Sequence, residues 1–309
     1  MNQNKSKNNL INWELVSINP NEKNWDWKDL FCFWGNNIQS VIGFSLIASL
    51  YLVYELNVFV VLFGTLIASI LIFFLSNLIG RPSQKYGLPF SVILRSSLGV
   101  KGAKYFGLFR GLVGIFMFGI QTYFLSRLFS FLIRISIFSF DDTFLDHDIF
   151  LIFLLGLNAI DWISFVFTIF LQAFLFSKSH QFNRSIIRFS AIIVYFGMLI
   201  FFLVVFLYDV KIVSAAFADI FSINNFFDKS NLAPLITVVG TVFAYFSIVI
   251  VNFGDFSRYV KNENELKKGN LSLILNLLIF SFFAVFIVIG ADIFLNKNLE
   301  NMERILTNP

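Results

Sequence analysis

The chain has 309 residues, 57% of them hydrophobic and 14% charged, with a net charge of +4 and a mean hydropathy of +0.77. Soluble domains carry about 25% charged residues, so this composition cannot clothe a water-facing surface; it excludes a soluble enzyme, a disordered chain and a coiled coil. One cysteine, Cys32, cannot form an internal disulfide, and two histidines, His147 and His180, are too few for a zinc site. In a soluble protein the positive charge would point to nucleic acid; here basic residues report orientation, and no nucleic-acid partner is expected.

Residues 1–29 are polar, lack the apolar stretch of a signal peptide and read as a cytoplasmic N-terminal segment. A membrane-crossing helix needs about 20 mostly apolar residues. Seven segments qualify, at 30–54, 57–79, 105–133, 161–177 (preceded by the apolar run 149–158), 187–208, 232–253 and 270–294. They define a transmembrane domain over 30–294, and residues 295–309 read as an outer loop and C-terminal stub. No segment alternates with period two, and helix satisfies its own backbone in hydrocarbon, so the fold class is an all-α membrane protein. With the N-terminus inside, sixteen of the 23 Lys and Arg fall on the cytoplasmic side. The acidic cluster Asp141, Asp142, Asp146 and Asp148 falls outside, which fixes the N-terminus as cytoplasmic and counts against a seven-helix receptor.

The first span carries Trp34-Gly35-Asn36-Asn37-Ile38-Gln39-Ser40 deep in its apolar stretch. Gly and Asn weaken a helix, and adjacent amides are costly against lipid, so this stretch is expected to unwind beside a cavity. The alternative for the amides is helix-to-helix glue. Between the second and third spans, GRPSQKYGLPF and RSSLGVKGA are punctuated by Gly and Pro and read as a basic loop of turns. The third span holds Gln121, an amide suited either to a flat polar ligand or to a neighbouring helix.

The sixth span mixes Gly, Ala and hydroxyls with aromatics from Val239 to Ser247 and ends in NFGDFSRY. Irregular helices at positions one and six are the pattern of two inverted five-helix repeats, a transporter architecture. Asp255 and Arg258, three apart, can pair on one face. Trp13, Trp25, Trp27 and Trp162 suit an interfacial position, and Gly269 punctuates the loop before the seventh span. Glu55, Asp161 and Asp292 all fall near the outer interface, so proton coupling has no intramembrane carboxylate candidate. No nucleophile–base pair, phosphate loop or carboxylate pair is present in the sequence, and the chain does not read as an enzyme.

GRPSQKYGLPFSVILRSSLGVKGA, the following FGIQTY and NFGDFSRY together resemble the nucleobase:cation symporter-1 family, from about Trp25 onward. The resemblance implies a leucine-transporter-like inverted-repeat fold, here truncated to about seven of twelve transmembrane helices, the remaining C-terminal helices belonging to the rest of the gene. It implies a symporter that imports cytosine, uracil, allantoin, hydantoin or a related N-heterocycle. No cofactor is implied, only Na+ or H+ as coupling ion. By resemblance the ligand-binding amides fall on Gln39 and Gln121, and the sodium-ligating backbone carbonyls fall on Gly35 and Ile38. The family's stacking tryptophans fall on Met117 and Phe246, two departures, with Tyr245 beside the second. Met and Phe still cover a flat ring, more weakly than indoles and without an N–H. The eighth helix, with its share of the sodium and ligand contacts, lies beyond this sequence. The alternative is a ligand-binding membrane sensor that does not transport, or a decayed remnant.

Overall fold

The computed structural model describes residues 15–54, 56–140, 153–178, 180–208, 229–307 and isolated positions between 210 and 218. Glu55, Trp13 and the acidic cluster at 141–148 lie outside the described residues, as do residues 149–152 of the apolar run 149–158. Among the described residues there is no strand, and eight helices account for the seven expected spans. The first span is a bent pair, α1 (Trp27–Ile38) and α2 (Val41–Leu52). Then come α3 (Val58–Tyr86), α4 (Phe90–Phe140), α5 (Ala159–Phe176), α6 (His180–Tyr208), α7 (Leu232–Ser257) and α8 (Glu263–Thr307). The protein is an all-α membrane protein.

The chain divides into two compact units, residues 1–97 with 187–309, and residues 98–186. In the first, α3 packs on α7 and α8, and α1 packs on α8. Without a hydrophobic force between helices in lipid, close approach of backbones does the work, and small residues permit it. A side-chain carbon at Gly64 would sit 2.7 Å from Val238, and one at Gly80 would sit 2.6 Å from Phe253. The stripe Val238, Val242, Phe246, Ile250 and Phe253 of α7 is buried along its whole length.

The expected loop between the second and third spans is mostly helix. α3 runs through Pro82 to Tyr86 and stops at Gly87, whose φ of 69° and ψ of 17° place it in the left-handed region. A proline removes only one bond of the helical ladder, whereas a glycine in that conformation ends it. The Lys23 ammonium donates to the Gln84 carbonyl at 2.6 Å, placing a cation on the exposed carbonyls of the α3 terminus. Partial burial there pulls the Lys23 pKa below its ordinary value. α4 begins directly at Phe90, whose N–H donates to Asp255 Oδ1 at 3.0 Å, and is interrupted only at Gly99, at φ 67° and ψ 176°.

The seventh span is also longer than its apolar core. Gly269, expected to punctuate a loop, lies inside α8 and faces Leu30, whose Cδ1 would be 2.3 Å from an added side-chain carbon. At the other end α8 continues as helix to Thr307, through residues expected to form an outer loop. The sixth span is continuous from Leu232 to Ser257, a correction to the expectation that it would be irregular. Two of its hydroxyls return to their own helix, Thr237 to the Ala233 carbonyl (3.1 Å) and Ser247 to that of Phe243 (2.6 Å), and so do not open it. Trp25 is buried within protein and not spread on an interface: its N–H donates to the Tyr259 carbonyl and its carbonyl accepts from Lys261.

In the second unit α4 and α5 are zipped by small polar residues. Thr122, Ser126 and Ser130 recur every four residues on α4, and Ser164 and Thr168 do so on α5; all are buried. Asp161 is 3% exposed and receives Arg127 at 2.7 Å, Arg134 at 3.1 Å and the Ser130 hydroxyl at 2.5 Å. It also completes a capping box with Asn158 at the start of α5.

Two substitutions test these contacts by thermal unfolding in detergent. Gly269→Leu drives a side chain into Leu30 and is expected to destabilise by about 1–3 kcal/mol. Asp161→Ala leaves two guanidiniums and a cap unpartnered and costs about 2 kcal/mol or more, with Asp161→Asn retaining part of the loss.

Candidate functional site

The site is built from the break in the first span. α1 starts with Asp26, whose side chain accepts from the N–H groups of Lys28 and Asp29, while Asp29 reaches back to the Asp26 N–H. The helix then runs to Ile38 and turns by 60° into α2. The Gln39 N–H still bonds four residues back, to Gly35, but the Ser40 N–H turns to the Ile38 carbonyl at 2.9 Å, which interrupts the ladder. Ser40 restarts it: its hydroxyl accepts from the Gly43 N–H at 3.0 Å, the N-cap arrangement, and its carbonyl accepts from Phe44. The same hydroxyl lies 3.1 Å from that of Tyr245 on α7.

The four amide and hydroxyl residues of this stretch have separate fates. Asn36 is glue: its amide nitrogen donates to the Cys32 and Ile187 carbonyls, and its oxygen accepts from Ser190 on α6. Asn37 returns to the Phe33 carbonyl of its own helix at 2.8 Å. Ser40 caps α2. Gln39 is different, because both polar atoms of its amide are buried without a hydrogen-bond partner. A buried amide left unpaired costs free energy that protein structures rarely tolerate without a reason.

Two further orphaned groups lie in the same place. Gln39 sits beside the Tyr195 hydroxyl of α6, close enough for the two to interact, yet neither makes a hydrogen bond of regular geometry. Around Gly35, a side-chain carbon would stand 3.1 Å from the Tyr195 ring and 3.2 Å from Asn276 Oδ1 on α8, and that oxygen is also unpartnered. Asn276 is fully buried and is held by its nitrogen, which donates to the Ser272 carbonyl at 2.8 Å and to that of Phe31 at 3.4 Å. Gln39, Tyr195 and Asn276 offer neutral donors and acceptors, a set suited to an uncharged polar ligand.

Sequence reasoning reached Gln39 and missed Tyr195 and Asn276. Asn276, a lone amide in LSLILNLLIF, was the available signal; Tyr195 sits in an otherwise plain apolar span and offered none. Of the other expected residues, Gly35 and Ile38 are buried, and their carbonyls accept from Gln39 and Ser40 respectively. Tyr245 reaches the break, whereas its neighbour Phe246 is 3% exposed and lies on the α7 stripe whose ends meet α3. The two rings meet edge to face, 4.9 Å apart. Met117 and Gln121 are on α4 in the second unit, half-exposed and exposed respectively. Asp29 anchors the break from below: it is 1% exposed and takes the Arg188 Nε at 2.5 Å.

Among the described residues, six long apolar helices and one bent pair, with unpaired polar groups gathered at the bend, define a polytopic membrane protein of the broken-helix kind. Residues 17–307 match the family described as permease for cytosine/purines, uracil, thiamine, allantoin, and the chain belongs to that family of membrane transporters. It is 29% identical over 111 residues to the putative allantoin permease of Escherichia coli (strain K12), a stretch covering 36% of this chain and 23% of that one. It is 32% identical over 116 residues to the allantoin permease of Bacillus subtilis (strain 168), covering 38% and 24%. The aligned part is thus about a quarter of each relative's length. No solved structure matches the chain.

The orphaned amide makes a sharp distinction between neighbours. In the ligand-free protein Gln39→Leu removes an unpaired buried amide and is expected to leave thermal stability unchanged or raise it. Ser40→Ala removes a helix cap and lowers it by about 1 kcal/mol. Melting curves of the two variants in detergent check this directly.

Proposed function

We propose that the protein is a secondary active permease that imports a small planar nitrogen heterocycle of the allantoin, hydantoin or nucleobase class across the cell membrane, coupled to Na+ or H+. The observation that carries this reading is the buried, unpartnered Gln39 amide at the break in the first span. An amide has one acceptor and two donors, the complement of the adjacent N–H and C=O groups on the rim of a ureide or nucleobase. Family membership and the names of the two relatives support the same ligand class.

In this reading Gln39 hydrogen-bonds the ligand edge, and Tyr245 and Phe246 cover a face. With Na+ as the coupling ion, the carbonyls of Gly35 and Ile38 supply ligands, using lone pairs beyond those already engaged in the chain. Alternating access follows if ligand and ion together favour one setting of α1 against α2, since a bound species shifts a conformational equilibrium only by its difference in affinity for the two states. In this reading the N-terminus is cytoplasmic, an orientation that the excess of Lys and Arg on that side supports.

The test is ligand-induced thermal stabilisation and radiolabelled uptake in proteoliposomes, with allantoin, hydantoin, uracil and cytosine, each with and without Na+ and a proton gradient. One of these ligands is expected to stabilise the protein, and the cation that drives uptake should raise its affinity, as linkage requires. Gln39→Ala weakens that ligand by about tenfold or more, in line with the ~1–3 kcal/mol lost when a buried hydrogen-bonding group goes unmade. Absence of stabilisation and of uptake with every ligand and both ions overturns the proposal; binding without uptake supports the non-transporting sensor instead.

A further inference from the structure

A groove of about 610 Å³ runs between α1 and α8, apart from the break and its orphaned amides. Its wall is Trp27 and Phe31 from α1, and Leu271 and Leu275 from α8. At one end stand Lys28 and Lys268. The two helices enter the membrane from the same side and present the same motif. Each carries a lysine in its first turns, the second residue of α1 and the sixth of α8, and apolar residues follow along the groove, Phe31 three positions after Lys28, Leu271 and Leu275 three and seven after Lys268. Trp27, Leu271 and Leu275 are 41%, 58% and 51% exposed, so the groove is open along its length.

The nearby carboxylates are already engaged. Glu265 accepts the Trp27 N–H at 2.8 Å, Asp29 holds Arg188, Asp26 caps α1, and Glu263 pairs with Arg81 and Lys267. Lys28 and Lys268 have no ion pair among the described residues; the Lys28 ammonium lies 5.9 Å from the centre of the Trp27 ring. Two free ammonium groups above an apolar channel, with an indole at the boundary, match a molecule that is anionic at one end and hydrocarbon at the other. A positive pocket at the end of membrane-crossing helices is a recognised means of holding anionic headgroups. Uncharged or zwitterionic lipid would fill the channel equally well but would leave the lysines without a partner.

We infer that this groove is a binding site for one anionic phospholipid, its phosphate held by Lys28 and Lys268 and one acyl chain laid along Phe31, Leu271 and Leu275. The lipid would fill the seam where the first half of the broken span meets the seventh. The inference stands independently of the heterocycle proposed above.

The test uses the protein reconstituted in phosphatidylcholine nanodiscs containing a small fraction of either phosphatidylglycerol or phosphatidylcholine with a photoreactive diazirine in one acyl chain. Labelled positions are then mapped by mass spectrometry. The phosphatidylglycerol probe is expected to label the Phe31 and Leu271–Leu275 segments about tenfold more than the phosphatidylcholine probe, and K28E/K268E should remove that preference. K101E/K104E, the same change of net charge on exposed lysines elsewhere, should leave it intact. Equal labelling by the two probes, equal loss in both double variants, or labelling confined to other segments because protein covers the groove would each overturn the inference. None of these outcomes depends on whether any heterocycle binds.

Discussion

In hydrocarbon a backbone N–H or C=O that leaves its helix has no water to receive it, and this constraint decides what a break in a spanning helix can look like. At positions 38–43 the chain meets it locally. The Ser40 N–H turns back two residues, the Ser40 hydroxyl takes the Gly43 N–H, and the Ser40 carbonyl resumes the ladder at Phe44. Alanine at position 40 would keep the N–H and the carbonyl and lose the hydroxyl. The bend therefore depends on one hydroxyl, which Tyr245 also touches from α7. With the backbone provided for, Gln39 is the residue at the break whose side chain has nothing to do, and that makes it the centre of the candidate site.

The two halves of the broken span are held by different physics. α1 is fixed by directed polar contacts: Asp29 to Arg188, Asn36 to Ile187 and Ser190, and Trp34 to Asn270, which in turn donates to Asn77 on α3. These link it to α6, α8 and α3 within one unit. α2 is almost wholly apolar, and three of its residues, Gly43, Ile47 and Leu50, are buried. Hydrogen bonds in a low-dielectric interior are strong and specific in geometry, whereas apolar packing tolerates small shifts. The bend at Gln39–Ser40 therefore joins a half-helix held by directed polar contacts to one held by apolar packing.

The spans themselves were legible in the sequence because each is an uninterrupted apolar run, and hydrocarbon admits little else. The break was legible because Gly35, Asn36, Asn37, Gln39 and Ser40 are crowded into six positions of such a run. Its details were not. Asn36 and Asn37 are as polar as Gln39, and only the placement of α6 and of the α1 turn shows that they are satisfied while Gln39 is not. The same limit explains the sixth span: a hydroxyl that returns to its own helix and one that leaves it are identical in sequence. Glycine and proline misled in the opposite direction. Pro82 and Gly269 sit inside helices, whereas Gly87 and Gly99 take the positive φ that ends or interrupts one.

The chemistry of the gathered groups narrows what the bend can recognise. Gln39, Tyr195 and Asn276 carry uncharged polar groups, and Asp29, the charged residue of α1 nearest the break in sequence, is engaged by Arg188. A charged ligand entering such a place would lose its hydration for dipoles alone, at a desolvation cost that uncharged polar ligands largely escape. Selectivity then falls to complementarity of donors and acceptors. A site whose buried polar atoms are unpaired when empty rejects a ligand that cannot pair them far more strongly than an apolar pocket rejects a misfit in size. On the proposed function, recognition leans on the amide at the break, and a ligand of matching polarity recovers the free energy that its unpaired atoms forgo without one.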